Sequence, residues 1–218
     1  MARSIKKKEY DSKVNDILDA SLKLIYRLGY SEMSVQDILD ELGISKGALY
    51  HYFDSKEAIL DALVMRMLKQ SQNAVQNTLT DPKLTAIKKL QIYFEISYRW
   101  KLEQADKTIP LLKAWYSESN DIVRQRLASK IIPQTAMLIE PVIIQGVKEK
   151  LFDTRFPVQI SLQFAQLSLG VSESVASVIL SYKNKPVISE KIVELLDAYF
   201  VTIERMLGIN EGSINRPR

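Results

Sequence analysis

Residues 43–53 read GISKGALYHYF, and Lys56 follows three positions later. The stretch holds the only histidine of the chain, His51, between Tyr50 and Tyr52. Two chemistries suit such residues. A histidine beside a carboxylate can serve as a general base, and Asp54 stands three residues on, but a surface i,i+3 pair with no further reacting group is a poor start for an active site. The alternative is recognition. Tyr50, His51 and Tyr52 all carry polar tips that can donate to phosphate oxygens, and Lys56 adds a cation. Three polar-tipped rings in succession cannot all face inward from one helix, whereas Leu49 and Phe53 suit a core.

These side chains must be positioned by the elements around them. From Asp11 onward, Val14, Ile17, Leu18, Leu24, Ile25 and Leu28 recur at the three- and four-residue spacing of an amphipathic helix, and Gly29 sits where a C-cap glycine belongs. Ser34 with Asp37 resembles a capping box that opens a second helix, with Ile38, Leu39 and Leu42 as its apolar face and Gly43 as its end. Ser45 opens a third, short helix, and Asp54 or Ser55 caps a fourth that carries Ile59, Leu60, Leu63, Val64, Met67 and Leu68. Two short helices on either side of Gly43-Ile44, behind a longer first one, have the proportions of a helix-turn-helix. In that geometry the second short helix enters the major groove with its N-terminal residues against base edges. Here those residues are Ser45, Lys46, Gly47 and Ala48, small or polar with one long cation. Lys56, at the start of the fourth helix, adds its charge to the unpaired N–H groups that favour a phosphate there.

The remainder is also helical in pattern. Helices are expected over about 83–103, 106–117, 120–150, 157–182 and 189–207, with kinks or a break at Pro133 and Pro141 and a fraying tail, NEGSINRPR. With no alternating strand pattern, and only 7 Gly and 7 Pro in 218 residues, the chain is expected to be all-α. Apolar residues at 46% and charged residues at 26% are ordinary for a folded globular chain. The absence of cysteine and the single histidine exclude disulfides, thiolate zinc sites and multi-histidine metal sites, so neither metal nor cofactor is expected, and an enzyme is disfavoured. No apolar run reaches the roughly 18–20 residues of a membrane span, and the basic start MARSIKKKEYDSK lacks the apolar core of a signal peptide. The expectation is a cytoplasmic protein without a membrane partner. The net charge of +4 does not by itself announce nucleic acid, and Arg3, Lys6, Lys7 and Lys8 read as a solvated basic terminus rather than as phosphate contacts.

The segment SVQDILDELGISKGALYHYFDSKEAIL, residues 34–60, is similar to the DNA-binding signature of TetR-family transcriptional regulators. The likeness runs over roughly residues 11–64, with the glycine, the LYxxF pattern and the following lysine at the family spacing. It implies an N-terminal three-helix helix-turn-helix domain over residues 1–56 and a larger helical effector-binding and dimerisation domain over 57–218. By position, it implies that Ser34 caps the second helix near a phosphate and that Val35 and Gln36 lie at the groove edge. Ser45, Lys46 and Gly47 match the front of the recognition helix, Tyr50 the phosphate-contacting tyrosine, His51 and Tyr52 the variable aromatic positions, and Lys56 the phosphate-binding lysine. Lys46 and Gln36 are the base readers expected, for guanine and adenine respectively; many members carry an arginine in the second helix, which this chain lacks. The function implied is a homodimeric repressor of a palindromic operator on double-stranded DNA, released by an unidentified small-molecule effector. Expected pocket residues are Tyr93, Phe94, Tyr98, Trp100, Trp115, Tyr116, Met137 and Phe164. Expected interface residues are Ala165, Ser168, Gly170, Ser172, Leu195, Tyr199 and Ile203, the small ones letting a partner helix approach closely.

Overall fold

The computed structural model describes residues 2–103, 112–181 and 185–216, among which every regular element is helical. The helices are α1 (Ala2–Leu28), α2 (Val35–Leu42), α3 (Lys46–Tyr50), α4 (Lys56–Thr80), α5 (Ala86–Glu103), a helical stretch described over 112–115 (α6), α7 (Asp121–Lys148), α8 (Pro157–Ser181) and α9 (Lys185–Met206). The chain divides into two compact units, Met1–Lys69 with Lys113–Leu127, and Gln70–Leu112 with Ala128–Arg218.

In the first unit α1 reaches back to Ala2 rather than starting at Asp11, because residues 2–10 contain neither Gly nor Pro and several good helix formers. It ends at Gly29, whose φ of +88° is left-handed and whose missing Cβ leaves room for Ser119, since a Cβ would lie 2.1 Å from Oγ. α2 opens on the expected capping box, with the Asp37 N–H donating to Ser34 Oγ and the Ser34 N–H to Asp37 Oδ2. It closes at Gly43, which is also left-handed, with φ +63°. Of the two candidate caps for α4, Ser55 does the work: its Oγ accepts the Ala58 N–H at 3.1 Å. Ile17, Leu24 and Ile25 of α1, Ile38 of α2, Leu49 of α3 and Ile59, Leu60 and Leu63 of α4 are all buried. The domain boundary expected after Lys56 falls inside this unit, because the first half of α4 supplies part of its buried apolar face.

The second unit is built around Phe94, Ile139, Val142, Ile143, Phe164, Tyr199, Phe200 and Ile203, drawn from α5, α7, α8 and α9. Pro133 and Pro141 do not break α7, which runs unbroken from Asp121 to Lys148. Both prolines stand at exposed positions, where water can take the place of the N–H bond each removes. α7 with its preceding turn and α8 are long and apolar enough to cross a membrane by length and composition alone, a property that core helices share, and Ile139, Ile143 and Phe164 on them are buried in this unit. The tail does not fray through residue 216. Glu204 is fully buried, and its carboxylate accepts the N–H groups of Gly212 at 3.0 Å and Ile214 at 2.8 Å, while Ile214 itself is wholly buried. Arg216 lies 3.8 Å from the same carboxylate.

The carboxylate thus holds the chain end onto the core. Glu204→Gln puts an NH2 group against one of the two N–H donors, so about 2 kcal/mol of stability should be lost, or roughly 4–8 °C in Tm for a chain of this length. Thermal unfolding with limited proteolysis of the tail checks this, and an unchanged Tm would refute the anchoring role.

Candidate nucleic-acid interface

The site begins with α3, a helix of five residues whose orientation depends on its neighbours. Ser45 caps it by accepting the Ala48 N–H at 3.2 Å, and Leu49, 2% exposed, fastens its inner face. With Leu49 turned inward, Ser45, Lys46, Gly47, Ala48 and Tyr50 are all exposed. A Cβ on Gly47 would meet nothing within 4 Å. The protein therefore has no internal packing reason for a glycine in this helix, where it costs about 0.5–1 kcal/mol relative to alanine. Lys46 extends over the Tyr50 ring, 5.8 Å from its centroid, which leaves its ammonium on the open face.

The flanking residues are more occupied than expected. The Ser34 hydroxyl is committed to the capping box, 2.5 Å from Asp37 Oδ2, and these bonds from Ser34 hold the Asp37 carboxyl below the usual carboxylate range. Val35 is half-buried, and Gln36 is exposed with its amide nitrogen donating to Asp40 Oδ1 at 2.7 Å, a bond that pairing with an adenine would have to break. His51 is exposed and Tyr52 half-buried. Lys56 is half-buried, and its ammonium donates to the carbonyls of Tyr30 at 2.7 Å and Met33 at 2.6 Å while lying 4.3 Å from the centroid of the Tyr30 ring. It retains one N–H and its charge for a phosphate, and it also clamps the α1–α2 loop.

That clamp is one side of a hub missed in the sequence. Asn120, fully buried, accepts the Tyr30 N–H on Oδ1 at 2.7 Å and donates from Nδ2 to the carbonyls of Ala114 at 2.8 Å and Ile25 at 3.3 Å. Ser31 adds two bonds, from N–H and hydroxyl, to the Ser119 carbonyl. The loop that leads into α2 is thus held from α4 by Lys56 and from the segment before α7 by Asn120. The Tyr30 ring is buried between them, and its hydroxyl has no hydrogen-bond partner among the described residues. Burial first, then the Glu57 carboxylate, raises that phenol above its ordinary value. In the sequence SESN, Asn120 looks like any turn residue; only the fold shows it buried.

The expected pocket residues do not form one lining. Phe94 and Phe164 are buried and packed ring to ring at 5.7 Å, and Tyr93 joins both at 5.6 and 5.9 Å, its hydroxyl pushed up to about 12 by burial. Trp115 and Tyr116 belong instead to the first unit, the former against Tyr26 at 6.2 Å and the latter against Arg124. Met137 is 72% exposed, and the side chains of Tyr98 and Trp100 lie outside the described residues. Of the expected interface residues, Ala165, Tyr199 and Ile203 are buried in the core of their own unit, with Ser168 bonded to the Tyr199 hydroxyl at 2.7 Å, so they offer no surface to a partner. Ser172 and Leu195 are half-buried, and Gly170 is exposed.

A capped, glycine-containing short helix held outward by a turn and a buried leucine has the geometry of a helix-turn-helix. Residues 17–63 match the family model described as "Bacterial regulatory proteins, tetR family", so the likeness to that family rests on the N-terminal helices. The chain is similar to the HTH-type transcriptional repressor DhaR of Mycobacterium sp. (strain GP1), 27% identical over 130 residues, which cover 60% of this chain and 65% of that protein. It is also similar to the Fatty acid metabolism regulator protein of Bacillus subtilis (strain 168), 25% identical over 142 residues, or 65% of this chain and 71% of that protein. The match to DhaR spans just under two thirds of that repressor's length. A TetR transcription regulator from Haloarcula marismortui ATCC 43049 shares the fold, with TM-score 0.58 and 17% identity over 91% of this chain and 97% of that one.

Asn120→Ala strands the Tyr30 N–H, since the Ile25 and Ala114 carbonyls keep other donors, and should cost about 2 kcal/mol in urea unfolding. Tyr30→Phe removes only a hydroxyl with no hydrogen-bond partner among the described residues and should be neutral or stabilising. A destabilised Tyr30→Phe together with an unaffected Asn120→Ala would place the anchor elsewhere.

Proposed function

We propose that the chain is a dimeric, effector-responsive repressor that binds a pseudo-palindromic operator through α3. The observation that carries this is the front of α3: a capped, exposed turn with one lysine and a glycine that no internal contact explains. A backbone without a Cβ can approach a groove floor that any side chain would hold away. Lys46 is the direct base reader, and Gln36, drawn toward Asp40, the lesser one. Tyr50, His51, Tyr52, Ser34 and Lys56 surround them as donors to phosphates, which fix register without reading sequence. The same reading places the protein in the cytoplasm with the DNA it regulates. The sign of regulation follows the relative that is named a repressor.

Gly47→Ala tests this with two readouts of opposite sign. It should stabilise the fold by about 0.5–1 kcal/mol yet weaken DNA binding at least about tenfold, while Lys46→Ala should lose about 1–3 kcal/mol and relax specificity at one position. The measurement is retardation of duplexes selected by the wild-type protein from a random library. If Gly47→Ala binds them as tightly as the wild type, α3 is not the reading element.

Dimerisation is assigned to the exposed side of α8 and α9. Leu162, Gln166, Gly170, Ser174 and Ser177 form one exposed stripe of α8, and Val193, Ala198 and Thr202 are exposed on α9. A Cβ on Gly170 would also meet nothing within 4 Å, so this mid-helix glycine too lacks an internal reason. Ser172 and Ser174 donate their hydroxyls to backbone carbonyls four residues back, which satisfies them before a partner covers the face. For the effector, the ring cluster of Tyr93, Phe94 and Phe164 supports an apolar small molecule. Its binding would act by a difference in affinity between two states, transmitted along α4, which is continuous from Lys56 to the buried Val75 and Leu79. Gly170→Glu should weaken the dimer at least about 100-fold, close to 2.7 kcal/mol, by sedimentation at micromolar concentration. A dimer that persists unchanged rules out this face.

A further inference from the structure

The family match starts at Ile17, whereas α1 starts at Ala2, so about four turns of helix precede the matched region. Tyr10, on this extension, is 43% exposed and packs against the two rings that follow the recognition helix, 5.0 Å from Tyr52 and 6.3 Å from His51, which themselves pack edge to face at 5.0 Å. The three rings border a shallow concavity of about 450 Å³, lined also by Glu9, Ser12 and Lys13. At 100° per residue, Arg3 falls within about 20° of Tyr10 around the helix and Lys6 and Lys7 within about 60°, whereas Lys8 falls about 160° away. Tyr10 therefore faces the end of α3, and by helical register alone three of the first four cations share its position around the helix. Within the first eight residues there is no acidic residue to offset them.

We propose that the start of α1 is a second DNA-contacting element. It is a basic arm clamped by Tyr10 to His51 and Tyr52, and it lays Arg3, Lys6 and Lys7 against the phosphates flanking the bases read by α3. The partner is the double-stranded DNA backbone, reached through its charge rather than its sequence. This rests on the DNA-binding reading above and extends it. It also gives His51 a part: its ring is a face on which the arm is seated.

The register makes the test specific. Wild type and variants are titrated, across a salt series, with a duplex selected from a random library by the wild-type protein and with an unselected duplex of equal length. Each lost phosphate contact lowers the log–log salt slope by about 0.9. Lys7→Ala should show that loss on both duplexes, and Lys8→Ala, which removes the same charge one residue away, should not. The triple variant Arg3→Ala, Lys6→Ala, Lys7→Ala should lose a slope of about 2–3 and bind at least about tenfold more weakly at 0.15 M salt. Tyr10→Ala should reproduce most of the triple variant's loss, and Tyr10→Phe, which keeps the ring, should restore wild-type binding; Tm and helicity confirm that each variant is folded. Equal slopes for Lys7→Ala and Lys8→Ala, or a wild-type slope in the triple variant, overturn the arm while leaving recognition by α3 intact. A wild-type protein that selects no duplex overturns the DNA-binding reading itself.

Discussion

The first unit depends on how one short loop is held. Residues 29–34 must turn the chain from α1 into α2, and α2 in turn sets α3 through the glycine turn at Gly43. A loop of this length has few contacts of its own, so its position is decided by what grips it. The grip is polar and mostly buried: the Asn120 amide on the Tyr30 N–H, and the Lys56 ammonium on the Tyr30 and Met33 carbonyls. A buried amide satisfied on both its oxygen and its nitrogen specifies one geometry, since any other leaves it unpaired at a cost. Apolar packing by Ile25, Ile38 and Leu60 would tolerate small slips that these bonds do not.

That arrangement changes what Lys56 means. As a surface cation it would add a phosphate contact and little else. As observed, it joins the start of α4 to the loop that aims α2, with its charge over the Tyr30 ring. Asn120 does the corresponding work from the turn before α7. Of the two polar groups that fix the loop, Lys56 opens α4 and Asn120 stands immediately before α7.

Much of this architecture is visible in the sequence because it rests on local rules. The capping box at Ser34 and Asp37, the left-handed Gly43, the cap at Ser55 and the apolar spacing of α1 and α4 all depend on residues a few positions apart, and these are where sequence and structure agree. Apart from the start of α1 and the prolines of α7, the differences are non-local. The tail read as fraying because NEGSINRPR is polar, but a single buried carboxylate on α9 gathers its N–H groups. Trp115 read as a pocket residue because aromatics line pockets, but its segment folds with the first unit. Tyr199 and Ile203 read as interface because they share a broad apolar stripe, and a stripe does not say which part faces the core of its own protomer. The contacts of Tyr10 with His51 and Tyr52 span about forty residues and have no signature in either stretch.

Glycine is the exception that separates structure from function. At Gly29 the fold accounts for the residue, through a left-handed backbone and a Ser119 side chain where a Cβ would sit. At Gly47 and Gly170 it does not: both are helical, both are exposed, and both would tolerate a Cβ as far as their own chain is concerned. Each lowers the stability of the helix that carries it. Packing within the chain does not account for that cost, and under the function proposed above the compensation comes from a partner that approaches the helix from outside. For Gly47 the neighbours are Ser45, Lys46 and Tyr50, a polar and cationic surface suited to a polyanion. For Gly170 they are Leu162, Gln166 and serines already bonded to their own backbone, a surface suited to another helix. The same physical anomaly thus points to two different partners, and the chemistry of the adjacent side chains distinguishes them.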